Sequence, residues 1–228
     1  MTPSARVTRI VAVLGVLASV AGCDGKVIHL DNPCAGAPVP ASQVLWIGDS
    51  WVTIPGNQVT SVQTLAQQAG AIGAGDMYTV KAANGAVISQ IATQYTMQEA
   101  TSTKAKVLIM DGGTLDTIMS NGSSASVTAV GATFHQLLGT IAADGTVTDI
   151  IYFLVPELPD VPGVAALRPV LQQECHASAV RCHFIDLTPL WSGHPEYTNS
   201  NGIFPTAAGA EVIASQIWST MQAACIAQ

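Results

Sequence analysis

Charge is scarce in this chain. Only 10% of its 228 residues are Asp, Glu, Lys or Arg, and eight of them are basic. A nucleic-acid partner needs clustered positive charge to neutralise phosphates, so that class of function is excluded. Cysteine and histidine are also few, five of each. They do not fall into the paired short spacings of a zinc site, and no metal or other cofactor is expected. No apolar run is long enough to cross a bilayer, the leading candidate being the eleven residues from Ile10 to Val20. Internal repeats are absent. The glycine-rich stretch Gly70 to Gly75 follows a helical pattern and precedes a strand, whereas a dinucleotide-binding loop requires the opposite order.

What is present is apolar: 49% of the residues are hydrophobic, enough for one buried core and a single domain. Arg6 and Arg9, the apolar run and then Ala21-Gly22-Cys23 form the three zones of an export signal. Val20-Ala21-Gly22-Cys23 resembles the lipobox of bacterial lipoproteins, which implies lipidation of Cys23, cleavage before it and anchoring in the cell envelope. The expected organisation is a signal peptide over 1–22, a proline-bearing tether over 23–42 and one domain over 43–228. Without the two leader arginines, six basic residues face fifteen acidic ones, a net charge near −9. Cys34, Cys175, Cys182 and Cys225 then remain, an even number that favours disulfides in an exported chain. Three pairings are open. The order of elements favours Cys175 with Cys182 across a helix-to-strand turn, and Cys34 with Cys225 between the start of the domain and its last helix.

The run Val44-Leu45-Trp46-Ile47 stops at Gly48-Asp49-Ser50 and reads as a buried first strand whose tip turns into a helix. Further strands are expected at 78–83, 106–110, 149–155 and 182–187. Helices are expected at 59–71, 86–100, 127–143, 163–178 and 206–224, with a long loop over 188–204. Strands alternating with helices imply a parallel sheet covered on both faces. The strand tips then share one edge, where ligands of such sheets bind. Ser50, the stretch Asp111 to Asp116, the stretch Glu157 to Asp160 and the long loop all fall on it. Each carboxylate there is equally suited to capping a helix or a turn.

Gly48-Asp49-Ser50 after the first strand, Gly113-Thr114-Leu115-Asp116 after the third, and Asn201-Gly202-Ile203-Phe204-Pro205-Thr206 before the last helix together resemble the SGNH, or GDSL, hydrolase family. The resemblance runs from about residue 43 to 220. It implies a flavodoxin-like three-layer α/β/α sandwich with five parallel strands. It also implies cleavage of acyl or acetyl esters, with Ser50 as nucleophile forming an acyl-enzyme. The amides of Ser50 and Gly85, with Gly113 or Thr114, would make up the oxyanion hole. Three family positions are altered. Leu115, or Thr114 in the neighbouring register, stands for an oxyanion-binding asparagine, Asn201 for the catalytic aspartate and Phe204 for the catalytic histidine.

A serine hydroxyl is a weak nucleophile until a base accepts its proton, and phenylalanine cannot do so. Removing the histidine of a comparable triad lowers turnover by roughly 10⁶-fold. His176 and His183 fall at the opposite sheet edge and His135 within a helix. His194, in the long loop, is the one candidate for a displaced base, with Asp116, Glu157 or Glu196 to orient it. The expectation is an anchored serine esterase acting on a small-molecule ester. The alternative is a catalytically impaired relative that binds a saccharide, lipid or protein partner in the same cleft.

Overall fold

Residues Val44–Ile47 form the first strand, β1, with all four side chains buried. A strand covered on both faces reads as an unbroken apolar run rather than an alternating one, and Val-Leu-Trp-Ile is such a run. The computed structural model describes Cys34 and residues 39–53, 58–99, 101 and 103–226. The expected signal peptide, Cys23 and most of the tether lie outside these residues. Ala41, assigned to the tether, is instead buried in a short 3-10 turn, Ala41–Gln43, that leads into β1.

Four more strands follow: β2 (Thr79–Val80), β3 (Val107–Met110), β4 (Asp149–Leu154) and β5 (Arg181–Asp186). All pairings are parallel, in the order β2-β1-β3-β4-β5. The helices are α1 (Ser50–Thr53), α2 (Gln58–Gln68), α3 (Ile88–Glu99), α4 (Thr114–Met119), α5 (Ser124–Asp144), α6 (Val164–Ala177), α7 (Thr188–Trp191) and α8 (Ala207–Ala223). Helix α2 packs on α8, while α5 packs on α3 and α6. These two layers cover the sheet, which gives the expected three-layer α/β/α sandwich. Among the described residues, no helix is long and apolar enough to cross a membrane.

The longer helices begin and end where their chemistry dictates. The Ser123 hydroxyl accepts the amide of Ser126 to open α5, and Gly145, at φ 65°, closes it. Thr206 caps α8 by accepting the amide of Gly209. Differences from the sequence reading fall on short elements. Of the residues expected in the second strand, 78–83, Thr79–Val80 form β2, and the amides of Lys81 and Ala83 carry on the bonding by donating to the carbonyls of Trp46 and Gly48. Helix α4 occupies a stretch read as a loop tip, and α7 and a 3-10 turn, Pro195–Tyr197, occupy part of the long loop. Both disulfides form as favoured, Cys34 with Cys225 and Cys175 with Cys182.

Candidate active site

The tip of β1 is held from below by two side chains that sequence reasoning did not single out. Gln94, on the buried face of α3, donates to the Gly48 carbonyl (3.0 Å) and accepts the Gly48 amide (2.8 Å). Asp111, which ends β3, accepts the Asp49 amide at 2.8 Å. Gly48 has φ 147°, and a Cβ there would lie 1.9 Å from Asp111 Oδ1, so only glycine fits this approach. Asp49 accepts the amide of Trp51 at 2.9 Å and thereby fixes the first turn of α1. Gly48-Asp49-Ser50 is thus a turn, and that turn presents Ser50 at the end of β1.

Asp49 and Asp111 are 4% and 0% exposed, and neither forms an ion pair among the described residues. Burial, reinforced by the charge of Asp49, pushes the Asp111 carboxyl well above the usual range. Burial also raises Asp49. Asp111 Oδ2 is buried with no hydrogen-bond partner. Side by side without a cation, each of these acids disfavours ionisation of the other beneath the Ser50 turn.

Ser50 is 9% exposed. Its Oγ accepts the Gly85 amide at 3.0 Å and donates to Asn84 Oδ1. Gly85 has φ 72°, and its turn, between β2 and α3, brings both partners to the hydroxyl. The structure thus places Ser50 beside Gly85, as the resemblance implies. Asn84 was missed, although its place just before that glycine in a turn was a signal available in the sequence.

The loop after β3 contributes Gly113 and Thr114 at the start of α4. The Thr114 hydroxyl is buried without a partner among the described residues, and Leu115 is half-buried. Asp116 accepts the amide of Ile88 at 3.0 Å, so its carboxylate caps the start of α3. Burial raises its pKa, and that hydrogen bond opposes the shift.

His194 lies in the segment between α7 and α8. Its Nδ1 is 2.8 Å from Glu196 Oε1, and its ring stacks on Tyr197 with centroids 4.6 Å apart. That bond lowers the pKa of Glu196. It also sets the imidazole tautomer, leaving Nε2 as the nitrogen able to accept a proton. Of the three acids named as orienters, Glu196 alone engages His194. Asp116 is a helix cap, and Glu157 is ion-paired with Arg168 at 2.5 Å.

Among the described residues no imidazole hydrogen-bonds to Ser50. Ring contacts link His194 to Tyr197, Tyr197 to Trp191 and Trp191 to Trp51, the residue next to Ser50. His183 pairs with Asp149 at the amino edge of the sheet, and His135 pairs with Glu174 on the surface.

Phe204 is half-buried against the core, within a loop closed by a bridge between Thr198 and Pro205, and its amide donates to Asn199. Asn201 is exposed at the end of that loop. A cavity of about 610 Å³ opens between the loops after β4 and β5. His194, Asp160, Trp191 and Asn199 are among its lining residues, and Ser50 is not. Among the described residues no group of acids, histidines and cysteines is arranged to hold a metal ion.

Strand order, helix layers and the position of Ser50 define the SGNH hydrolase fold, the five-stranded parallel sandwich of GDSL esterases. Among solved structures the chain is similar to a carbohydrate esterase family 3 protein from Talaromyces cellulolyticus, with a TM-score of 0.63 and 16% identity over 80% of this chain and 97% of that one. It is also similar to an acetyl esterase solved with an acetate ion, with a TM-score of 0.64 and 14% identity over 80% and 97% of the two chains. An acetyl xylan esterase gives a TM-score of 0.60 and 15% identity over 78% and 98%. No protein-family model and no curated protein sequence matches the chain.

Proposed function

We propose that the protein is a serine ester hydrolase of the SGNH type, exported and held at a bacterial envelope membrane through Cys23. It cleaves small-molecule acyl or acetyl esters by way of an acyl-enzyme. The observation that carries this reading is the Ser50 hydroxyl at the carboxyl edge of the sheet, with the Gly85 amide 3.0 Å from Oγ. Ser50 Oγ attacks the ester carbonyl carbon and its proton passes to Nε2 of His194. The carbonyl electron pair moves onto oxygen, where the amides of Ser50 and Gly85 stabilise it. Collapse of this intermediate expels the alcohol, which takes the proton from the imidazolium, and water then repeats the sequence to release the acid. Glu196 holds the imidazole tautomer throughout. The first step requires the 192–199 segment to carry the ring past Trp191 to Ser50, a loop closure of the kind substrate binding drives in many enzymes.

A fluorophosphonate probe and a p-nitrophenyl acetate assay test this reading. The wild type is expected to label and turn over, Ser50→Ala to do neither, and His194→Ala to do both more slowly. Equal behaviour of all three proteins rules the reading out.

One observation favours a second reading. Ser50 donates a hydrogen bond to an amide oxygen, which cannot act as a base, and among the described residues no imidazole bonds to it. On this reading the cleft binds a saccharide, lipid or protein partner without turnover. Serine-dependent hydrolysis by the unmodified protein excludes it.

A further inference from the structure

The two partners of the Ser50 hydroxyl come from consecutive residues, a main-chain amide from Gly85 and a side-chain amide from Asn84. We propose that Asn84 is a catalytic residue whose side-chain amide, turned about its last side-chain bond, donates a hydrogen bond to the oxyanion formed on attack by Ser50. The assignment deepens the esterase reading and rests on it.

The geometry supports the assignment in three ways. An amide group carries an acceptor and two donors on one planar end, so a half-turn places Nδ2 where Oδ1 now meets Ser50 Oγ. Asn84 is solvent-exposed, and among the described residues its only hydrogen bond is to Ser50, so nothing else holds the amide in its present sense. The Gly85 amide donates to Ser50 Oγ, and a carbonyl attacked by Oγ must come to bonding distance of that atom, so donors on residues 84 and 85 lie within reach of the oxygen on which charge develops.

The loop after β3 brings no second side-chain amide to this point. Leu115 is apolar, and the Thr114 hydroxyl is buried without a partner. In the resting protein Asn84 Oδ1 holds the Ser50 proton. During attack that proton leaves for the base and Asn84 gives up only a hydrogen bond, so it is neither protonated nor deprotonated.

Asn84→Ala and Asn84→Asp separate donation from mere orientation. Aspartate keeps an oxygen to accept the Ser50 proton and cannot donate while ionised. With p-nitrophenyl acetate both variants are expected to lose roughly 10²- to 10³-fold in kcat, the usual loss for one oxyanion donor, with KM changed only a few-fold. Thermal melting should match the wild type, since the side chain is exposed. Full kcat in Asn84→Asp would reduce Asn84 to an acceptor that positions Ser50, and full kcat in Asn84→Ala would remove any role. Either result overturns the assignment while leaving a Ser50-dependent esterase intact. A wild type without Ser50-dependent turnover removes both readings together.

Discussion

At the scale of single residues, the feature that stands out is a pair of acids where a hydrophobic core would do. Asp111 accepts the Asp49 amide and so helps hold the β1 tip in place, and its raised pKa shows what that arrangement costs once the group must ionise. The sign is fixed by linkage. A carboxyl whose pKa is higher folded than unfolded contributes most at acid pH, below its unfolded value, and loses that contribution as the pH climbs through the folded value. Asparagine at this position keeps the oxygen that accepts the Asp49 amide and brings a donor for the Asp49 carboxylate. Asp111→Asn is therefore expected to raise the melting temperature at pH 8, with the difference shrinking towards pH 4. A gain of about 1 kcal/mol corresponds to roughly 2–4 °C for a chain of this size. A variant that melts lower than the wild type across the whole range would show that burial of the pair does not strain the fold.

At the scale of elements, what was readable in the sequence followed the length of the signal. The apolar runs of β1, β3 and β4 and the long helices α5, α6 and α8 were visible because each buries a long, regular face. Helix α4 was not, since its six residues carry a threonine and an aspartate that also suit a turn. The two disulfides were readable from the order of elements. They close very different loops, of 191 and 7 residues in sequence separation. In the chain-entropy account the longer closure stabilises more, roughly 5 kcal/mol against roughly 2.4 kcal/mol. Replacing Cys34 and Cys225 together by serine is thus expected to lower denaturant stability clearly more than replacing Cys175 and Cys182. Equal losses would mean that native contacts, rather than loop closure, set the contribution of each bond. The candidate site was legible where it rests on the chain's own turn, at Ser50 and Gly85. It was illegible where a partner depends on three-dimensional convergence, as at Gln94, which reaches the Gly48 turn from α3.

At the scale of the whole molecule, the sheet sorts its chemistry by edge. Ser50, Asn84 and Gly85 lie at the carboxyl ends of the strands. Helix α8 returns from that edge and ends beside Cys225, whose bond to Cys34 fixes the incoming chain at the amino edge. Ten residues separate Cys34 from Cys23, a stretch that reaches at most about 40 Å. Under the proposed lipidation of Cys23, a mature chain near −9 would gain nothing from an anionic leaflet, so its membrane binding would rest on acyl chains rather than on charge. The full-length protein expressed in a bacterium that processes lipoproteins is expected to enter the detergent phase on Triton X-114 partition, to the same extent at low and high salt. Cys23→Ser is expected to move it to the aqueous phase with unchanged kcat on a soluble ester. Partition that ignores Cys23, or that dissolves with added salt, would replace the lipid anchor with secretion or with electrostatic adhesion. A change in kcat on release would mean that the tether and the site communicate through the sheet.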